Sequence, residues 1–359
     1  MKKSLLIFFA TISLSIFGLI MIYSSSSIWS LYKFNDEFYF VKHQLLFFIL
    51  GIIGIFLLKK IDYKLYLKYS NTILIISLIL LVLVLIPGIG KIRNGSRSWF
   101  GIGSFGFQPS ELSKLALIIF TAKYLSKNEK EVKQIKSGVL PILLIIGVFF
   151  GLIMLEPDFG TAMVMIMTII SMLFASNIKL SFFTSLGLLG ILGITTLIII
   201  APYRMARIIS FINPWTDPLG SGFQIIQSLY AISPSGLFGR GFGNSIQKHF
   251  YLPEPQTDFI FAIISEEFGF FGIVLIIALF FILFTNTIKI SITCENLFGK
   301  YLSFGLIMGI ILQMILNICV VIGLVPVTGV TLPFISYGGS SLLVSMASIG
   351  IILNISKNK

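Results

Sequence analysis

The sequence predicts an all-α polytopic membrane protein of about ten transmembrane helices, and two observations carry that reading. Hydrophobic residues fill 56% of the 359 positions and charged ones only 11%, with 35 phenylalanines and a mean hydropathy of +1.00. Soluble domains carry about a quarter charged residues. Apolar runs of about 20 residues, the length that crosses a bilayer, also recur along the whole chain, so 1–359 reads as a single transmembrane unit.

Taken in order, the candidate spans are 4–23, 43–58, 70–87, 111–126, 138–155, 160–176, 180–201, 258–284, 301–322 and 339–355. The first follows Lys2-Lys3 and begins like a signal peptide. Its apolar run is too long, however, and lacks a small-x-small cleavage site, so it is read as a retained helix. An even number of spans puts both termini on one side. Lys2-Lys3, Lys59 to Lys68, Lys127 to Lys136, Lys179, Lys289 to Lys300 and Lys357 to Lys359 fall on that side, which the positive-inside rule makes cytoplasmic. The opposite, extracytoplasmic face receives 24–42, 88–110, the corner Glu156-Pro-Asp158, the large loop 202–257 between helices seven and eight, and 323–338.

Cysteine and histidine chemistry drop out: Cys294 and Cys319 sit in unrelated places, and His43 and His249 have no ligand-like spacing. Arginine is more telling. All five (Arg93, Arg97, Arg204, Arg207 and Arg240) fall in extracytoplasmic loops, whereas the cytoplasmic loops use lysine alone. Arginine suits bidentate recognition of phosphate or carboxylate, which points to an anionic ligand on the outer side. Acids crowd the same face: Glu111, Glu156, Asp158, Asp217, Glu254 and Asp258, with Glu266 and Glu267 two to three turns into the eighth helix. Ionisable groups at membrane depth are costly and are usually functional or paired. Glu111 and Lys114, three apart on one helix, suit either an ion pair or a ligand role. Glu266 and Glu267 point to different sides of their helix, so at least one faces protein.

The segment 202–257 is long for a protein of short connections. Its Arg204 and Arg207 share a face if that part is helical, and its run Gly236 to Gly243 is too rich in phenylalanine for a nucleotide loop. It reads as a re-entrant or surface-lying segment. The loop 323–338 again mixes proline and glycine at membrane depth, where irregular backbone survives only if protein or a water-filled cavity satisfies it. Two such loops on one face suggest a roofed cavity.

The large loop ends in Tyr251-Leu-Pro-Glu-Pro-Gln-Thr-Asp258. Pro253 and Pro255 are expected to keep the approach extended, and Thr257 or Asp258 to cap the following helix. Asp258 thus lies at the water–lipid boundary, either as a plain cap or as a functional carboxylate.

Four separated motifs are family-specific: Phe107-Gln-Pro-Ser-Glu-Leu-Ser-Lys114, Glu156-Pro-Asp-Phe-Gly-Thr161, Gly243 to Ala262 with Glu266-Glu267, and Pro333-Phe-Ile-Ser-Tyr-Gly-Gly-Ser-Ser341. Together they resemble the SEDS family (shape, elongation, division and sporulation) from about residue 10 to 355, and Asn244-Ser-Ile-Gln-Lys with Pro-Glu-Pro-Gln-Thr-Asp is more similar to its FtsW/SpoVE branch than to RodA. The resemblance implies a peptidoglycan glycosyltransferase with ten transmembrane helices that polymerises lipid II, the undecaprenyl-pyrophosphate-linked disaccharide pentapeptide, at the outer face of the bacterial cytoplasmic membrane. It carries the family's essential aspartate onto Asp258, its fourth-helix Glu and Lys onto Glu111 and Lys114, and its loop arginine onto Arg97. Gln256 departs from the pattern, since many relatives have His there, and takes no role. The implied partners are a class B penicillin-binding protein and other division or sporulation membrane proteins; no nucleic acid is expected.

The chemistry agrees with the residues. Extending a glycan needs a base for the acceptor hydroxyl, which Asp258 would supply, and positive groups for the departing diphosphate, for which Arg97, Lys114, Arg204 and Arg207 are candidates, with or without a divalent cation such as magnesium or manganese. No organic cofactor is expected. One carboxylate predicts inversion at the anomeric carbon, while retention would need a second carboxylate nearby, with Glu254 and Asp158 as candidates. Two rivals stay open: a transporter of the lipid-linked precursor, for which neither an internal repeat nor midplane charge is evident, and a non-catalytic scaffold for a partner synthase.

Overall fold

The computed structural model describes residues 2–93, 95–102, 105–131, 134, 138–176, 178–200, 205 and 209–357. Its helices are α1 (Lys2–Phe34), α2 (Tyr39–Leu58), α3 (Lys64–Leu85), α4 (Pro109–Lys127), α5 (Leu140–Leu155), α6 (Phe159–Phe174), α7 (Leu180–Ile200), α8 (Phe223–Ile232), α9 (Ile260–Ile292), α10 (Leu297–Val321) and α11 (Gly339–Lys357). Each of the ten expected spans is a helix, and α8 is an additional short one inside the large loop. By length and composition six of the described helices (α1, α2, α3, α9, α10 and α11) are able to cross a bilayer, while α5 and α6 are 16 residues each. Sixteen residues of helix rise only about 24 Å, short of a hydrocarbon core of about 30 Å.

Three differences from the expected elements have physical causes. Helix α1 runs through Ser24-Ser-Ser-Ser27, which reads as loop: Ser25 and Ser26 donate to the Ile22 carbonyl of their own helix, and Ser24 donates to Glu267. Asn35, at φ 54, then ends it, so the expected loop 24–42 shrinks to 35–38. The loop 88–110 contains an antiparallel sheet, β1 (Lys91–Arg93), β2 (Ser96–Ile102) and β3 (Phe105–Phe107), in the order β1-β2-β3. Its sequence signal was the Asn94-Gly95 dipeptide, a strong hairpin marker. Finally, the approach to α9 is a succession of turns, not an extended stretch, and Glu254 holds a positive φ of 45 within it.

Helix α10 is central, packing on α4, α6, α8, α9 and α11. Around it α2 lies on α11, α1 on α9 and α3 on α4. One end of the bundle carries the sheet, the large loop and 323–338, and at the other Asn354 of α11 bonds Tyr63 N–H and the Lys59 carbonyl.

Two pieces of irregular backbone enter the bundle from the loop-bearing end. Residues 334 and 335 lie so close to α1 that a Cβ at Gly18 would sit 2.6 Å from the Ile335 Cα. The second is a break in α9 at Gly269, where φ is 60 and ψ is −152. The break strands carbonyls before it and N–H groups after it, and the segment 236–241 takes up both. Arg240 and Gly241 donate to the Glu266 and Glu267 carbonyls at 2.8 and 2.9 Å, while Phe270 and Phe271 donate to the Gly236 and Leu237 carbonyls at 3.0 and 3.2 Å. The two backbones are so close that a Cβ on Gly269 would stand 2.4 Å from the Gly239 nitrogen. Gly269→Ala should therefore lower stability by more than about 1 kcal/mol, read as a drop in detergent thermal unfolding temperature, whereas Gly147→Ala, in open space on α5, should leave it unchanged or slightly raised.

Candidate functional site

Lipid leaves buried polar groups no water to turn to, and the polar residues of α10 show how this chain answers that demand. Gln313 and Asn317 are one turn apart on the same face, and both are buried. Asn317 donates through Nδ2 to the Asp258 and Val330 carbonyls, each at 2.7 Å. Gln313 donates through Nε2 to the Thr331 carbonyl at 3.1 Å and to Ser341 Oγ at 3.2 Å, and accepts from Lys114 Nζ at 2.7 Å through Oε1.

These bonds hold the loop 323–338, which in turn holds the loop ending at Asp258. Tyr337 N–H donates to the Gln256 carbonyl at 2.9 Å and Ser336 Oγ donates to the Thr257 carbonyl at 2.6 Å. With Asn317 on the Asp258 carbonyl, three successive peptide groups before α9 are each fixed by a separate donor. Gln44 of α2 clamps the same loop by donating to the Ser336 carbonyl and accepting from Gly338 N–H. The N-cap position of α9 falls on Phe259, one residue beyond the expected Thr257 or Asp258, its side chain makes no cap bond, and Thr257 Oγ1 bonds back to the Glu254 carbonyl. The half-buried Asp258 carboxylate lies beside Gly329 of the re-entrant loop.

Glu111 and Lys114 are brought together as the ion-pair reading had it, at 2.9 Å and almost wholly buried. Lys114 thus spends two of its three N–H donors on Glu111 and Gln313. Both residues line a cleft between α4, α6, α10 and α11 that continues past Met165 and Thr168 to Ser348. Asp158 has a structural place: it caps α6 through Thr161 N–H at 3.1 Å and accepts from Gln108 Nε2 at 2.8 Å and Ser110 Oγ at 3.4 Å. Gln108 N–H also donates to Ser340 Oγ, so the four motifs singled out in the sequence meet in one network. Arg97 goes elsewhere: its guanidinium lies against the Leu85 carbonyl at the end of α3. Arg204 and Arg207 lie outside the described residues. Glu254 is half-buried in its positive-φ turn.

Both glutamates after Asp258 face protein. Glu266 accepts from Ser245 Oγ at 2.5 Å and Ile246 N–H at 2.8 Å, with Arg240 Nε at 3.4 Å. Glu267 accepts from Ser24 Oγ at 2.6 Å and from Lys248 Nζ at 3.1 Å. Lys248, which donates further to the Gly243 carbonyl at 2.6 Å, was missed in the sequence because a lysine in a polar loop carries no mark of burial. Two acids and two bases balance, so the start of the large loop's final stretch is tied to α1 and α9 by a neutral, fully bonded cluster. Asn317, Gln313 and Gln44 were missed for a similar reason: single amides in apolar runs, without a charge to draw notice.

Comparison with known proteins decides the kinship. The family model described as "Cell cycle protein" (FtsW, RodA, SpoVE) matches residues 4–359. The chain belongs to the FtsW/RodA/SpoVE family. Within it, stage V sporulation protein E of Bacillus subtilis is 51% identical over 356 residues, 99% of this chain and 97% of that protein. The probable peptidoglycan glycosyltransferase FtsW of Geobacter sp. (strain M18) is 42% identical over 352 residues, 98% and 96% of the two chains. Among solved structures, a chain from a study of polymerization and crosslinking by a peptidoglycan synthase complex matches with a TM-score of 0.81 at 28% identity, covering 98% of this chain and 97% of that one. The rod shape determining protein RodA of Thermus thermophilus matches with a TM-score of 0.72 at 26% identity, over 98% and 96%. The SEDS resemblance is borne out, and the FtsW/RodA/SpoVE fold is that of a multi-pass membrane protein.

Glu156, at the α5–α6 corner, is fully buried, and neither carboxyl oxygen has a hydrogen-bond partner. Burial, helped by the neighbouring Asp158 charge, pushes its pKa up to about 9. The folded value lies above the unfolded one of about 4.5, so the native state holds a proton that the unfolded chain releases. Stability is therefore lost as pH rises from about 4.5 to 9. Glu156→Gln should remove that slope, so thermal unfolding of variant and wild type should diverge in the variant's favour with rising pH. Asn317→Ala should cost about 1–3 kcal/mol for the carbonyls it strands, read in the same unfolding assay at constant pH.

Proposed function

We infer that this chain is a peptidoglycan glycosyltransferase that polymerises lipid II at the outer face of the bacterial cytoplasmic membrane, with both termini in the cytoplasm. Its relatives named peptidoglycan glycosyltransferase align over nearly the whole chain, and the observation that carries the mechanism is Asp258 on a loop with three successive carbonyls pinned. A base must be held still to be effective, and that pinning supports this role.

Asp258 takes the proton from the acceptor sugar hydroxyl as its oxygen attacks the anomeric carbon of the donor. The bond from that carbon to the diphosphate oxygen breaks, and the lipid diphosphate leaves with the electron pair. Attack on the face opposite the leaving group inverts the centre. Asp158 is committed to its cap and to Gln108, which leaves Glu254 as the alternative carboxylate for retention. Lys114, oriented by Glu111 and Gln313, offers its remaining N–H to the diphosphate. A divalent cation such as magnesium or manganese could accompany the substrate diphosphate. One similar solved chain comes from a peptidoglycan synthase complex that coordinates polymerization and crosslinking, and the corresponding partner here would be a class B penicillin-binding protein.

The break in α9 favours the transporter reading on its face, since transporters use broken helices at their sites. In this chain the exposed backbone groups and both glutamates of the break are already bonded by 236–248, so the break serves packing and offers no vacant ion site.

Glycan-strand synthesis from purified lipid II, by the solubilised protein with its transpeptidase partner, should fall about 10²–10⁴-fold in Asp258→Asn and Asp258→Ala while thermal unfolding is unchanged. Variants that polymerise as wild type would remove the base from Asp258, and passage of lipid II across vesicles without synthesis would favour transport.

A further inference from the structure

Gln313 of α10 meets two elements with opposite hydrogen-bonding needs. Its Oε1 accepts from Lys114 Nζ at 2.7 Å, while its Nε2 donates to the Thr331 carbonyl at 3.1 Å and to Ser341 Oγ at 3.2 Å. Gln313 is 4% exposed, and Glu111 and Lys114 are 6% and 8% exposed, so the three find their partners in protein and not in bulk water. An ionised carboxylate at 313 would serve Lys114 but has no hydrogen for the Thr331 carbonyl. An ammonium or guanidinium would serve Thr331 but has no acceptor for Lys114. An amide does both, and it does so without charge.

That neutrality bears on the cleft between α4, α6, α10 and α11. Of the side chains lining it, Glu111 and Lys114 carry charge, and Thr168, Ser345 and Ser348 add only hydroxyls. With glutamine at 313 the charges of the lining cancel. A carboxylate there would make it net negative, in surroundings where water screens little and an approaching anion would be repelled. The same amide has a structural duty as well: Thr331 belongs to the loop 323–338, whose Ser336 and Tyr337 pin the carbonyls of Thr257 and Gln256. The two duties are separable by substitution.

We propose that Gln313 is a positioning residue that keeps the cleft open to the diphosphate of a polyprenyl-linked sugar, because it fixes Lys114 Nζ with a neutral acceptor and sets no second negative charge beside the ammonium. The proposal rests on the glycosyltransferase reading for its ligand and assigns the selectivity of that site to an uncharged residue.

The test measures binding of undecaprenyl pyrophosphate to the full chain in detergent, with undecaprenol as the uncharged control, at about pH 8, well above the ordinary carboxyl range. It compares wild type, Gln313→Met, Gln313→Glu and the double variant Glu111→Gln/Gln313→Glu. Methionine is close to glutamine in length and has no donor, so it strands the Thr331 carbonyl as the glutamate substitution does but adds no charge. Gln313→Glu should weaken pyrophosphate binding about tenfold or more and Gln313→Met by under about threefold, with undecaprenol binding unchanged in both. The double variant still lacks the donor to Thr331 but returns the lining to zero net charge, so its pyrophosphate binding should recover to within about threefold of wild type. Gln313→Met should instead lower kcat for lipid II with KM nearly unchanged, since it loosens the loop that holds the Asp258 peptide.

Equal losses of pyrophosphate binding in Gln313→Glu and Gln313→Met, no recovery in the double variant, or an equal loss of undecaprenol would each overturn the proposal and leave Gln313 only its hold on the loop. If Gln313→Glu does not fold by itself, the double variant decides: wild-type binding supports the proposal and lost binding overturns it. Failure of the proposal while glycan synthesis still requires Asp258 would leave the glycosyltransferase reading standing. Wild type that binds the pyrophosphate no better than undecaprenol would remove the diphosphate from Lys114 and the proposal with it.

Discussion

The whole arrangement depends on one constraint: backbone that leaves helical form inside a bilayer must have its polar groups met by protein. This chain leaves helical form there in three places, at the loop before α9, at the break in α9 and in the loop before α11. They are answered from two sources. The loops are met by amides on apolar helices, Gln44, Gln313 and Asn317, and the break is met by the backbone of 236–241. Since α10 supplies two of the three amides and packs on α4, α6, α8, α9 and α11, it ties both loops to the bundle.

A consequence is that rigidity and chemistry are divided between charges. Glu266, Glu267, Lys248 and Arg240 neutralise one another at the break, so their part is to anchor the large loop to α1 and α9. Asp158 likewise ends its role at the cap of α6. Removing one member of such a buried set strands its partner, a larger penalty than the pair's net contribution. The two groups given roles in the proposed chemistry are held differently: the Asp258 peptide is fixed by Asn317 with its carboxylate beside Gly329, and Lys114, paired with Glu111, lines the cleft.

Much of the fold was legible because membrane spans are written as local hydropathy. The ten runs became ten helices with most ends displaced by up to eight residues, and the largest error, the serine run of α1, arose because serine is polar by composition yet able to bond its own helix. The four motifs were legible as motifs. Their meeting was not: Gln108 with Asp158, Gln108 with Ser340 and Ser336 with Thr257 are separated by tens to hundreds of residues, and nothing in local pattern says which polar side chain pairs with which.

By itself the sequence determined the solvent of this protein, its spans, the side on which its arginines gather and the family to which its motifs belong, because each follows from residue type and spacing along the chain. The tertiary structure alone decided that the Asp258 peptide is pinned, that Glu111 and Lys114 are a buried pair, and that Glu266 and Glu267 are bonded from the large loop and α1. Those outcomes turn on which distant donor reaches which acceptor once α10 is in place, and a one-dimensional pattern carries no distance across the bundle.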